Sequence, residues 1–193
     1  MKREILWSLW NAPGLEHLRL LPSQKGPVAE GQIITTLFEE RPLRLSYLVQ
    51  CDAQSRVREV RVIAESASTA VRIRADGEGH WTTDGGDALP MLDGCIDVDI
   101  MATPFTNTLP IRRLGLRTGQ AAEITVAYVK VPTLDVVAMP QRYTCLESRP
   151  DGGLYRYESL DTGYTNELTV DADGLVLNYP GIWKRVWPPK ADA

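Results

Sequence analysis

Two stretches of the sequence carry polar side chains suited to binding the polar end of a ligand. The candidates are Asn107, Arg112 and Arg113 in the first stretch and Gln141, Arg142 and Tyr143 in the second. The planar guanidinium of arginine matches a phosphate or a carboxylate, whereas amide and phenol groups exchange hydrogen bonds with sugar hydroxyls. This combination predicts binding of an amphipathic small molecule that has a polar headgroup.

A structural role for the two neighbouring arginines is the alternative. Asp97 and Asp99 come shortly before Arg112 and Arg113, so the two acids can form ion pairs with the two bases. Such pairs would attach a helix to a strand instead of holding a ligand. The sequence is compatible with both roles.

Aromatic residues near the C-terminal end add a second kind of candidate. Tyr179 and Trp183 lie on either side of a Pro-Gly turn, and their rings can pack against the apolar face of a sugar. We predict that both residues contribute to ligand binding. The alternative for Trp183 is ordinary packing at a strand end, with its indole N–H bonded to the protein.

The sequence offers little support for catalysis. It contains no nucleophile elbow, Walker loop, HExxH motif or CxxC motif. His80 could be imagined as a base, but its neighbours predict a strand that follows a turn. Cys51, Cys95 and Cys145 are too far apart for a metal or redox motif and are expected to be buried thiols. We therefore predict a non-enzymatic protein with no cofactor and no metal.

Composition limits the class of protein further. The 193 residues are 44% hydrophobic, which fits one globular domain, and 25 acids against 21 bases give a net charge of −4. Nucleic-acid-binding domains usually carry a basic excess. Charges interrupt every apolar stretch before the ~18 residues of a membrane helix, and the stretch 5–10 is too short for a signal sequence. We expect a cytoplasmic protein with no nucleic-acid partner and no integral membrane association.

Apolar and polar residues alternate along most of the chain. The clearest case is 43–51, and shorter examples occur at 71–75 and 96–100. A period of two is typical of half-buried antiparallel strands, and Asp-Gly turns separate these segments. We predict a mainly β single domain over 1–186. Paired prolines cannot enter a sheet, so a frayed C-terminal tail is expected at 187–193.

One segment breaks this alternation and is typical of a helix. Thr103, Asn107 or Thr108 can serve as its N-cap residue, and Gly115 can end it. Pro110 lacks a backbone donor and strains the preceding turn. We therefore predict a single α-helix at about 103–114, distorted around Pro110.

The same region resembles the signature of a bacterial family of glycolipid-binding proteins. Residues 97–100 and 103–114, the latter reading TPFTNTLPIRRL, carry the resemblance most specifically. Residues 126–132 and 141–144 resemble a middle block of the family, and 173–183 a C-terminal block. The resemblance implies a spiral β-roll, in which a long, mostly antiparallel sheet wraps around one α-helix, similar to lipoprotein-carrier folds.

Two functional hypotheses follow. The resemblance implies a glycolipid or another lipid-like ligand held between the curled sheet and the central helix, where each buried methylene group is worth about 0.8 kcal/mol. The alternative is a structural or interaction protein, a homodimer formed through an exposed strand edge, whose interior is fully packed and takes no small-molecule ligand. A cavity that reaches Arg112 and Arg113 would distinguish the two hypotheses.

Overall fold

The computed structural model describes residues 2–38, 41–65 and 68–188. Its strands are β1 (Arg3–Leu9), β2 (Gly14–Leu21), β3 (Val28–Thr35), β4 (Leu43–Cys51), β5 (Val57–Ala64), β6 (Thr69–Ala75), β7 (Trp81–Thr83), β8 (Asp97–Ile100), β9 (Ala121–Val129), β10 (Val136–Arg149), β11 (Gly152–Ser159), β12 (Thr165–Asp171), β13 (Val176–Tyr179) and β14 (Trp183–Trp187). The α-helix is α1 (Thr108–Leu114), and short 3-10 turns occur at Pro90–Leu92 and Phe105–Asn107. The predicted mainly β class is confirmed.

The strands form one long open sheet. Their order is β7-β6-β5-β4-β3-β2-β1-β14-β13-β12-β11-β10-β9-β8. Strands β1 to β7 form one antiparallel meander and β9 to β14 a second, and the antiparallel pairing of β1 with β14 joins them. Strand β8 instead pairs with β9 in parallel. The mostly antiparallel sheet implied by the family resemblance is therefore confirmed.

The parallel pairing of β8 with β9 explains why a helix lies between these two strands in the chain. Antiparallel neighbours can be joined by a tight turn, but parallel neighbours need a longer crossover that brings the chain back to the same end of the sheet. Residues 101–120 provide this crossover and contain α1. The helix thus belongs to a β-α-β unit at one end of the strand order.

The sheet curls around this unit. Strand β8 lies against β5, although the two strands are far apart in the strand order. Tyr47 of β4 stacks on Phe105 just before α1, with 6.2 Å between ring centroids. From the other meander, Tyr143 of β10 bonds to Asn107. Leu109 of α1 is almost fully buried. Both halves of the sheet therefore contact the helical segment, which lies in the core.

The α-helix is shorter than predicted. It begins at Thr108 instead of position 103, because the residues just before it form the 3-10 turn. Thr103 still accepts a hydrogen bond from the backbone N–H of Phe105. Pro110 causes no distortion, since it lies in the first helical turn, where backbone N–H groups have no acceptor within the helix. Gly115 ends the helix as predicted, with a left-handed φ of 54°.

The core follows the alternation that the sequence predicts. In β4, every second side chain is buried, namely Leu43, Leu45, Tyr47, Val49 and Cys51. The three cysteines are buried free thiols, as expected. Their depth places them within the packing of the roll and away from solvent.

The C-terminal end of the chain is described only in part. Trp187 is the last residue of β14 and pairs with Leu6 of β1. Residues 189–193 of the predicted tail lie outside the described residues, so the division into 1–186 and 187–193 stays a prediction. Within the described ranges, no helix has the length and hydrophobicity needed to cross a membrane.

Candidate functional site

The predicted site residues occupy different parts of the fold. Asn107, Tyr179 and Trp183 line one cavity, Gln141 and Tyr143 are buried behind its wall, and Arg112, Arg113 and Arg142 do not line it. The cavity lies where the crossover enters the helical segment, before α1. The two neighbouring arginines lie in the last turn of α1 and are thus separated from it along the helix.

We call this space the tyrosine cavity. Its volume is about 380 Å³, within the range of small-molecule sites. Its aromatic lining residues are Phe38, Tyr128, Tyr157, Tyr164, Tyr179 and Trp183. The other lining residues are Leu37, Asp99, Met101, Thr103, Asn107 and Ile182. These residues come from β8, β9, β11, β13 and β14, from the segment between β8 and α1, and from the loops that follow β3, β11 and β13.

Trp183 differs from three other tryptophans in its hydrogen bonding. The indole N–H groups of Trp7, Trp10 and Trp81 each donate to a backbone carbonyl at 2.7–2.9 Å. The N–H of Trp183 has no acceptor among the described residues, although only 2% of the residue is exposed. A buried indole usually finds a partner. Trp183 also lines the tyrosine cavity, so a bound molecule could accept a hydrogen bond from this N–H.

Asn107 is held in the cavity wall by two hydrogen bonds. Its Nδ2 donates to the backbone carbonyl of Pro104 at 3.3 Å, and its Oδ1 accepts from the Tyr143 hydroxyl at 2.9 Å. The Tyr143 ring also meets Tyr157 edge to face, with 5.5 Å between centroids. Tyr143 itself is buried, so it positions Asn107 and Tyr157 and does not line the cavity.

Asp99 supplies the carboxyl group of the cavity. Its Oδ1 accepts a hydrogen bond from the Thr106 hydroxyl at 2.9 Å, and its Oδ2 accepts from Nε2 of Gln141 at 2.7 Å. The same Gln141 nitrogen donates to the Tyr157 hydroxyl at 3.2 Å. Burial raises the pKa of Asp99, while the hydrogen bonds from Gln141 and Thr106 oppose that rise. Asp99 thus bonds to neutral donors and to neither predicted arginine.

Arg113 forms an ion pair with Asp97, which is the structural role predicted as the alternative to ligand binding. Its Nη2 lies 2.6 Å and its Nε 3.0 Å from Oδ2 of Asp97, which is almost completely buried. Burial raises the pKa of Asp97, and the guanidinium of Arg113 works against that rise. The pair joins the last turn of α1 to β8.

The other two arginines have separate environments. Nε of Arg112 donates to the backbone carbonyl of Asp173 in the turn between β12 and β13. Burial lowers the pKa of the Arg112 guanidinium. Arg142 lies on the outer face of β10, where it pairs with Glu123 and Glu158. Sequence proximity therefore did not bring the arginines into one site.

A buried acid supports the cavity wall from behind. Glu16 of β2 is fully buried, and its Oε1 accepts hydrogen bonds from the hydroxyls of Tyr47 and Thr103, both at 2.6 Å. Its Oε2 has no partner among the described residues. Burial raises the pKa of Glu16 to about 8. Because Thr103 lines the tyrosine cavity, Glu16 connects the sheet to the cavity wall.

A glycine makes this arrangement possible. The ring of Tyr47 lies directly over Gly31 of β3, and a Cβ atom at that position would be 2.0 Å from ring atom Cε1. Only the missing side chain lets the ring pass across β3 so that its hydroxyl reaches Glu16. Sequence reasoning missed Glu16, although it alternates with the buried Leu18 and Leu20 on β2.

The comparisons with known proteins agree with the resemblance found in the sequence. The family described as putative glycolipid-binding matches residues 4–185. No curated protein matches the chain. A crystal structure of a DUF1089 family protein from Pseudomonas aeruginosa is similar, with 40% sequence identity and a TM-score of 0.80, over 92% of this chain and 95% of that one. Because the match covers nearly its whole length, the chain belongs to this glycolipid-binding family.

Proposed function

We propose that the protein binds a glycolipid without catalysing a reaction, and that the tyrosine cavity takes the sugar headgroup. The observation that carries this proposal is that Trp183 lines an aromatic cavity while its indole N–H has no acceptor among the described residues. A closely packed interior would satisfy this donor with a protein carbonyl, as it does for Trp7 and Trp81. A sugar hydroxyl can supply the missing acceptor.

The cavity offers both kinds of surface that a sugar needs. The rings of Tyr179 and Trp183 provide flat apolar faces for the C–H groups of a pyranose. Asn107 and Asp99 provide polar atoms, since an amide or carboxylate oxygen can accept more than one hydrogen bond. The hydroxyl of Tyr128 adds a further group, which has no partner among the described residues.

The acyl chain has a different place in this proposal. Leu109 and Ile111 of α1 are almost fully buried in one continuous core, so core side chains occupy the interior beside these two residues. The rim of the cavity is apolar and open to solvent, with Leu37 at 43%, Met101 at 44% and Tyr164 at 40% exposure. We propose that the chain leaves the cavity across this rim, where each covered methylene group contributes up to about 0.8 kcal/mol.

Titration with octyl glucoside below its micelle-forming concentration tests the proposal. Trp183→Phe removes the indole donor, so we expect its affinity to fall at least tenfold, measured by calorimetry. Trp187→Phe is the matched control, because the same change is made in the same strand at a residue that is 54% exposed. Failure of the unmodified protein to bind the glucoside, or equal losses in both variants, would contradict the proposal.

A further inference from the structure

The tyrosine cavity contains a carboxyl group with no compensating charge. Asp99 lines it, and no arginine, lysine or histidine is among the described lining residues. The two oxygens of Asp99 accept hydrogen bonds from Thr106 and Gln141, which are both neutral. Carboxylates removed from water are normally paired with a cation. No described residue that lines the cavity therefore neutralises the charge of an ionised Asp99.

Asp97 provides the comparison within the same strand. It lies two residues before Asp99, so both carboxylates project from the same face of β8. Asp97 is matched by Arg113, whose Nη2 lies 2.6 Å from Oδ2. Asp99 has no corresponding base. The two acids of β8 therefore differ in their partners, and the acid without a cation among the described residues is the one that lines the tyrosine cavity.

We propose that the headgroup bound in the tyrosine cavity carries a positively charged amine, as in an amino sugar, and that Asp99 is its counter-ion. This inference rests on the proposed function, because it names the chemical class of the headgroup at the same site. The aromatic walls support it independently. Ammonium groups are attracted to the faces of aromatic rings, and Tyr128, Tyr157, Tyr179 and Trp183 surround the space beside Asp99.

The influence of the Asp99 charge extends across the cavity. Burial, followed by the negative charge of Asp99, raises the pKa of Tyr128 to about 12. Burial first and then the same negative charge raise the pKa of Tyr157. Burial, followed by Tyr164 and Tyr157 and then by Asp99, raises the pKa of Tyr179. These three tyrosines come from three different strands. A cation placed between them would be stabilised by Asp99, whereas a phosphate or carboxylate would be repelled.

The test compares the methyl glycosides of glucosamine, glucose and glucuronic acid by calorimetry at one pH and ionic strength. We expect the amine to bind at least tenfold more tightly than the neutral sugar, and the acid to bind most weakly. Asp99→Asn keeps the shape of the side chain, and in this variant the affinity for the amine should fall to that for the neutral sugar. Glu123→Gln changes the net charge equally on the outer face of β9 and should retain the preference.

The possible outcomes separate this inference from the proposed function. Equal affinity for the amine and the neutral sugar, or an amine preference that survives in Asp99→Asn, would overturn the inference and leave sugar binding intact. Because the ligand series uses the unmodified protein, it decides the question even if Asp99→Asn does not fold. If no sugar binds but choline does, the amine site is supported and the proposed function is contradicted. Absence of binding by the sugars and by choline overturns both.

Discussion

Nε and Nη2 of Arg113 both donate hydrogen bonds to the carboxylate of Asp97. This contact joins the only α-helix in the described residues to β8, which belongs to the only parallel strand pair there. Arg112, its neighbour in the sequence, bonds instead to the backbone of Asp173. The two adjacent arginines therefore fix the last helical turn to two separate parts of the sheet. The last turn of α1 therefore attaches the helix to the sheet, whereas the residues before α1 border the cavity.

Loss of Arg113 should destabilise the fold. Arg113→Ala leaves the carboxylate of Asp97 buried without a cation, and removing one partner of a buried pair costs roughly 3 kcal/mol. The free energy of unfolding, measured in urea, gives the effect. Arg142→Ala serves as the control, because its pairs lie on the surface and such pairs are worth about 1 kcal/mol or less. Equal losses in both variants would refute the structural role of Arg113.

Glu16 should make the protein less stable as the pH rises. Burial raises its pKa from an ordinary value of 4.5 to about 8, so between these values the folded state holds a proton that the unfolded state has released. Unfolding then releases a proton, and the free energy of unfolding falls by up to roughly 1.4 kcal/mol per pH unit. Urea titrations from pH 5 to 8 should show a smaller decrease for Glu16→Gln. Parallel curves for the two proteins would exclude this assignment.

Gly31 should not tolerate even a methyl group. In Gly31→Ala the new Cβ would overlap the ring of Tyr47, and overpacking of this kind typically costs about 1–3 kcal/mol. Thermal unfolding measures the loss. Gly85→Ala is a suitable control, because its nearest contact would be an ordinary 3.6 Å from the Thr83 hydroxyl oxygen. If both variants melt at the same temperature, the Tyr47 ring must be able to move aside.

Ligand binding should depend on the residues before α1 and not on its last turn. Asn107→Ala removes a polar group from the cavity, and we expect it to weaken octyl glucoside binding about fivefold, the loss of roughly one neutral hydrogen bond. Arg112→Ala should change the affinity less than twofold, because Arg112 does not line the cavity. Calorimetry on both variants checks this. A larger loss of affinity in Arg112→Ala than in Asn107→Ala would indicate that the headgroup binds at the other end of the helix.

The sequence predicts the strands better than the site. The alternation at 43–51 yields the bounds of β4, because one face of that strand is fully buried. The helix bounds were less accurate, since a 3-10 turn and an α-helix share the same preferred residues near Pro104 and Pro110. The predicted homodimer and cytoplasmic location stay predictions, and sedimentation analysis would test the former.

The site is assembled from parts that local patterns cannot connect. Asn107, Tyr179 and Trp183 were predicted separately, and the curl of the sheet brings them into one cavity. Tyr128 and Tyr157 were not predicted as site residues, because alternation tells which residues face inward but not which of them border empty space. The curvature of a long sheet depends on contacts between its distant strands, so it produces no recognisable pattern in the local sequence.

The junction of β1 with β14 has a consequence for the order of folding. Within each meander, every strand pairs with the next strand in the chain, but Leu9 pairs with Trp183 across almost the whole sequence. Closing so long a loop is entropically costly, so such contacts form slowly. We expect the two meanders to form first and to join last, so substitutions that weaken only the pairing of β1 with β14 should have φ-values near zero. Because Trp183 is both a β14 residue and a wall of the cavity, the binding site would then be completed in the final step of folding.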